Sequence, residues 1–276
     1  MRLAVTVPAS LNLFTGFLDD IVPASQHAGI NLANLSAFGP LGSLGDKDAI
    51  VHTTMVTDQT SDQAVAAVLD AASWSATARQ IAIGGQIFPF WWATDVNALA
   101  ALRLIEAEER GFVHEDQTGR VVFEARYDRS DKPSLATYSD AVGAALQYRG
   151  IQQADARREI ANRVEAVFDH YSVGDLAVLW AMTEVLSLGA GATVTVVGHY
   201  PDSAHNNSQQ GVAVAAWTTP VSGTDYYGAG AADGTGTNYT SSLSIVTTKR
   251  ANEIELAITN NHGSATIYLS TLQARG

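Results

Sequence analysis

The chain has 276 residues, 46% of them hydrophobic and 16% charged, so it can bury sizeable cores and is not a disordered chain. Sixteen Lys and Arg against 28 Asp and Glu leave a net charge of −12, which argues against wrapping nucleic-acid phosphates and against docking on anionic membranes. The absence of cysteine removes disulfides, thiolate nucleophiles and cysteine-based metal centres together.

Residues 1–48 read as short strands and turns. The stretch 1–7 is too short for the apolar core of a secretory leader and reads as a strand. Residues 11–18 alternate partly, with Gly16 marking a bend or bulge, and a strand over 31–38 is broken by Gly39-Pro40. Residues 60–73 form a helix. Thr60 and Gln63 have the spacing of a capping box, and Ala64, Val65, Val68, Leu69 and Ala72 make one apolar stripe.

A second helix is expected after Thr94, with Asp95 at its positive end and Gly111 as its stop. Val96, Leu99, Leu102 and Ile105 supply its apolar face. A hairpin follows, with strands 112–115 and 120–124 around a turn in which Gly119 takes the left-handed position. Residues 155–169 fit a helix through Ile160, Val164 and Val167, or a strand through Val164, Ala166 and Phe168; propensity favours the helix. From Ala192 onward the pattern is all β, with strands expected over 193–200, 212–217, 243–248, 253–259 and 266–273. In the fourth, Ile254, Leu256 and Ile258 face inward and Glu253 and Glu255 outward. Such short strands suggest a β-sandwich. No apolar run approaches the length that crosses a bilayer.

The residues that carry chemistry are scattered. The seven histidines include no pair with metal-ligand spacing on a helix, and His199, Asp202 and His205 read as a polar loop after a strand rather than a metal clamp. The run from Gly228 to Asp233 begins like a dinucleotide fingerprint but has Asp where the third glycine belongs. Asp233 and Asn238 could hold Ca²⁺, though a Gly-rich loop is the simpler reading. Asp19-Asp20 and Glu106, Glu108 and Glu109 read as solvated acidic surface. Phe88-Pro89-Phe90-Trp91-Trp92 reads as core or interface anchor before it reads as a sugar platform. These residues assemble no active site, and no catalytic, cofactor or metal residue is assigned.

Several stretches form an ordered set along the chain. They are Leu13-Phe14-Thr15-Gly16-Phe17-Leu18-Asp19-Asp20-Ile21; Ala67 to Trp74 with Arg79-Gln80-Ile81; and Ala98 to Glu106 followed by the Gly119 to Arg126 hairpin. Further along come Val178-Leu179-Trp180, Leu188 to Ala192, Tyr200-Pro201-Asp202, Asp225-Tyr226, Asp233-Gly234, Asn260-Asn261 and the closing Leu272-Gln273-Ala274-Arg275-Gly276. Together, in this order, they resemble the tail-hub or minor tail proteins of long-tailed bacteriophages.

The resemblance implies a mainly β protein with a small α/β part. Its segments are an N-terminal β segment of a hub domain over 1–48, an α/β helix-hairpin domain over 49–129, a β hub segment over 130–186 and a C-terminal β-sandwich over 187–276. It makes 155–169 a strand, against propensity. It implies a non-enzymatic virion component of the tail tip, a homotrimer that contacts distal tail and tape-measure proteins and passes DNA without specific binding, with the host surface as a further contact. No membrane anchor and no cofactor is expected. Relatives carry more β structure before Leu13 and more chain after the closing Arg-Gly, which leaves open a complete hub, a fragment or one piece of a split hub. Two other readings are a carbohydrate-binding module using Trp91, Trp92 or Trp217 as exposed coplanar rings, and a glycosidase with two carboxylates in one cleft.

Overall fold

The computed structural model describes residues 2–7, 11–23, 33–133, 165, 170–201 and 211–276. The chain is mainly β, with its strands in several small sheets. The first sheet is an antiparallel meander of β1 (Arg2–Val7), β2 (Leu11–Pro23) and β3 (Ala33–Phe38). Its register runs unbroken through Gly16 and shifts instead between Val5 and Thr6 and between Leu18 and Asp20. Gly16 is therefore no bulge: a side chain there would collide with the Phe14 ring and the Phe38 carbonyl, so the glycine serves close approach. Nor does Gly39-Pro40 only end a strand. Pro40 opens the short helix α1 (Pro40–Leu44), where its missing N–H costs nothing. Glu115 accepts the Leu41 N–H at the start of that helix.

The first core lies between α2 (Ser61–Ala71), α3 (Ala98–Glu109) and a sheet of β6 (Arg79–Ile81), β9 (Phe112–Glu115) and β10 (Val121–Glu124). Two strand pairs complete its surround: β4 (Ile50–Val51) with β8 (Val96–Asn97), and β5 (Val56–Thr60) with β7 (Ile87–Trp91). The expected capping box forms at Thr60, whose N–H donates to Gln63 Oε1 at 3.1 Å. Val65, Val68 and Leu69 of α2 pack with Leu102 and Ile105 of α3 and with Phe123 of β10. Each such side chain contributes about 1.5–3 kcal/mol on burial.

The second helix departs from expectation at both ends. It starts at Ala98 because Asn97 caps it, accepting the Ala100 N–H at 2.7 Å, while Asp95 sits outside in a left-handed conformation. It ends at Arg110, which takes the left-handed position foreseen for Gly111. Gly111 is needed one residue later, where a side chain would strike the Glu124 carbonyl. The expected hairpin β9–β10 forms, pairing Val121 with Glu115 and Phe123 with Val113, with Gly119 at φ +77°.

The second core joins two sheets. One has the order β13 (Thr193–His199), β16 (Glu253–Asn260), β15 (Leu243–Lys249). The other gathers β11 (Val178–Ala181), β12 (Leu186–Leu188) and β14 (Tyr226–Ala229) on the long β17 (Ile267–Arg275). Ile254, Leu256 and Ile258 are fully buried between them, as the alternation required. The strand expected over 212–217 does not form. Val214 N–H donates to Ala251 O and Thr218 N–H to Arg275 O, single bonds without a ladder. The stretch from Ser187 to Gly191, expected as a boundary, is built into this unit: Leu188 is fully buried, and Asn260 Nδ2 donates to the carbonyls of Leu188 and Gly189. The expected strand over 155–169 lies outside the described residues, Glu165 alone excepted.

Thr53 joins the two cores. Its carbonyl accepts the Ala251 N–H at 2.8 Å, and its hydroxyl accepts the Ala93 N–H at 2.9 Å. Beside it the Thr94 hydroxyl donates to Asn252 Oδ1 at 3.2 Å.

Candidate functional site

Three of the buried polar residues, Glu109, Asp225 and Asn260, each take hydrogen-bond partners from distant parts of the sequence. Glu109, expected on the solvated surface, is buried at the end of α3. Its Oε2 accepts the Ser61 hydroxyl and the Gln86 N–H, both at 2.7 Å; its Oε1 accepts the N–H groups of Gly85 and Arg126 at 3.3 and 3.2 Å. Burial pushes the Glu109 pKa up, but the Ser61 hydroxyl and the three backbone N–H groups outweigh it and hold the carboxyl below its ordinary 4.5. Of its neighbours, Glu106 accepts the Val113 N–H at 2.8 Å and pairs with Arg103, while Glu108 is exposed as expected.

Asp225, also buried, accepts the Val221 N–H at 2.8 Å, lies 2.8 Å from Arg275 Nε and takes a bond from Gln273 Nε2 at 3.0 Å. Asn260 spends its amide on the carbonyls of Leu188, Gly189 and Ala265, while its Oδ1 accepts the His262 N–H. Asp116 belongs to the same class of turn-locking carboxylate. Burial opposes its ionisation, yet bonds from the Thr118 hydroxyl, both the backbone and guanidinium of Arg120 and the Thr118 N–H bring its pKa down to about 2.

The residues singled out for chemistry do not converge. Gly228 and Ala229 belong to β14, where a side chain at 228 would lie 2.8 Å from Ile267 and Leu243, so the glycines are no phosphate cradle. Asp233 is committed to its own turn, accepting the Thr235 N–H and hydroxyl at 2.9 and 2.6 Å, and Asn238 accepts the Thr240 N–H. His199 stands 3.6 Å from Glu253; Asp202 and His205 lie outside the described residues. Among the described residues no group of three His, Asp or Glu side chains is placed to hold a metal ion. Glu253 pairs with Arg250, and Glu255 faces outward on the same strand 4.0 Å from that guanidinium. These two carboxylates lie on a sheet surface, not in a cleft.

The aromatic run is divided between two environments. Phe88 and Trp91 pack on the first core, while Phe90 and Trp92 line a cleft of about 480 Å³ between the two cores. Tyr171 stands against both, at 83° to the Phe90 ring and 73° to Trp92, with centroids 6.3 and 5.9 Å apart. His170, Asp175, Leu179, Tyr200 and the 211–215 segment complete the wall. Trp217 is buried, its indole N–H donating to Arg250 O at 2.8 Å. No exposed coplanar set of Trp91, Trp92 and Trp217 exists. Sequence reasoning flagged Trp92 and Phe90 but not Tyr171, which approaches from a stretch with no regular pattern.

A third feature is a surface. Asp19 to Pro23 of β2 and Ala33 to Ser36 of β3 are exposed. Ile21 and Leu35 face each other across the two strands, 53% and 55% exposed, and Val22 is exposed on the opposite face of β2.

Comparison with protein-family models, curated proteins and solved structures finds no match for the chain.

Proposed function

We propose that the chain is a non-enzymatic structural component of a bacteriophage tail tip, a hub or minor tail protein that assembles through its N-terminal sheet. The observation that carries this reading is the exposed Ile21–Leu35 pair. Cross-strand apolar pairs stabilise sheets when they are covered, and exposed apolar surface rimmed by polar residues marks an interaction site. Here Asp19, Asp20 and Ser36 supply the polar rim, with the Ser36 hydroxyl donating to Asp19.

Two further points support it. The buried carboxylates Glu109 and Asp225 are spent on holding loops, which suits a scaffold better than a catalyst. The net charge of −12 suits a conduit along which DNA slides without sticking. In this reading the C-terminal unit is a β-sandwich on the outside of the tip, and the partners are further copies, as a trimer, with distal tail and tape-measure proteins. Electron microscopy of the assembly formed with those tail proteins tests it. The reading expects density for the chain at the tail tip with Ile21 and Leu35 covered. Hydrolysis of a cell-wall or glycan substrate that one acidic substitution abolishes would overturn it.

A further inference from the structure

The cleft between the cores has a lining that selects by charge. Phe90, Trp92, Tyr171 and Tyr200 face it, Asp175 adds a carboxylate, and no Lys or Arg is among its described lining residues. Among the described lining residues the Asp175 carboxylate is not offset by any Lys or Arg, an arrangement that disfavours phosphate, sulfate and carboxylate ligands. Aromatic faces carry negative quadrupole potential and attract cations, most strongly quaternary ammonium groups boxed by several rings. Tyr171 stands nearly perpendicular to both Phe90 and Trp92. Rings meeting at such angles surround a compact, roughly spherical group from several sides, and they offer no single broad plane of the kind on which a pyranose stacks. The volume, about 480 Å³, falls within the range of small-molecule sites and leaves room for a tether behind the headgroup.

We propose that this cleft binds an organic ammonium headgroup, a trimethylammonium or similar alkylated amine, with Phe90, Trp92 and Tyr171 as the box and Asp175 as the counter-charge. The inference does not depend on the tail-tip reading. It concerns a site that such a scaffold, or any other assembly, would carry.

The test uses the full chain, with tryptophan fluorescence and calorimetry at constant ionic strength. The probes are choline, tetramethylammonium and the neutral isostere 3,3-dimethylbutan-1-ol. The expected result is saturable millimolar binding of both cations, with the neutral isostere weaker by roughly fivefold or more, the factor that one cation–π contact supplies. Tyr171→Ala removes an exposed ring and Asp175→Asn only the charge of an exposed carboxylate, so the fold survives and each weakens choline several-fold with unchanged circular dichroism. Choline and the isostere binding equally, affinity unmoved in both variants, or no saturable response in the millimolar range would each overturn the proposal. So would a neutral saccharide that saturates the fluorescence change while choline does not.

Discussion

The Ser61 hydroxyl donates to the Glu109 carboxylate across 2.7 Å, with both residues buried, 0% and 1% exposed. Ser61 opens α2 and Glu109 closes α3, so this bond ties the start of one helix to the end of the other. The Gly85 and Gln86 N–H groups bind the same carboxylate and fix the loop before β7. Because the folded Glu109 pKa lies below the unfolded value near 4.5, its contribution is fully present above that pH and is lost as pH falls through the folded pKa. Glu109→Gln puts an amide N–H₂ among four donors and should cost about 1–3 kcal/mol at neutral pH. Melts from neutral to acid pH check this: the wild type should lose stability below about pH 4.5 more steeply than the variant.

Leu256 and Glu255 are neighbours with opposite fates. Leu256 is 0% exposed at the centre of the second core, and Glu255 faces outward. Leu256→Ala should leave a cavity and cost about 2–5 kcal/mol, while Glu255→Ala should stay within about 0.5 kcal/mol. Denaturant titration of the two variants decides it; equal losses would reverse the facing.

Asn260 shares its amide N–H groups among the carbonyls of Leu188, Gly189 and Ala265, of which Gly189 also accepts the Ala192 N–H. Asn260→Ala strands buried acceptors, and a loss on the order of 2–3 kcal/mol is expected by thermal melts. Asn260→Asp should be at least as damaging, since it sets a carboxylate against carbonyl oxygens.

A fragment covering 177–276 should fold cooperatively, whereas one covering 187–276 should not. The shorter one lacks β11 and with it Leu179, a member of the second core. It also lacks Trp180, whose ring packs so closely on Gly198 that a side chain there would lie 2.7 Å away. Circular dichroism melts of the two fragments make the comparison.

Much of this was legible where a pattern is local. The capping box at Thr60, the Gly119 turn and the alternation of β16 each declare themselves within a few residues, and each appears as read. What escaped is set by distant partners. Glu109 looks solvated because it ends an acidic run, and its donors come from Ser61, Gly85, Gln86 and Arg126, far along the chain. Residues 212–217 alternate like a strand, yet a strand needs a neighbour with free backbone groups, and none among the described residues pairs with it in a ladder. The reverse holds for β14. Gly228 and Ala229 have weak strand propensity and read as part of a Gly-rich loop, but β17 pairs with them, and only a glycine fits at 228 beneath Ile267 and Leu243.

Assembly through the β2–β3 face is the claim on which the account rests, and mass measurement of the full chain at micromolar concentration, by light scattering or native mass spectrometry, tests it most directly. The account predicts a trimer for the wild type. Ile21→Asp with Leu35→Lys should shift it to monomer with an unchanged circular dichroism spectrum, because both positions are exposed within one chain and opposite charges face each other across the strand pair. A wild-type chain that stays monomeric across that range, or a double variant that remains trimeric, would contradict the account.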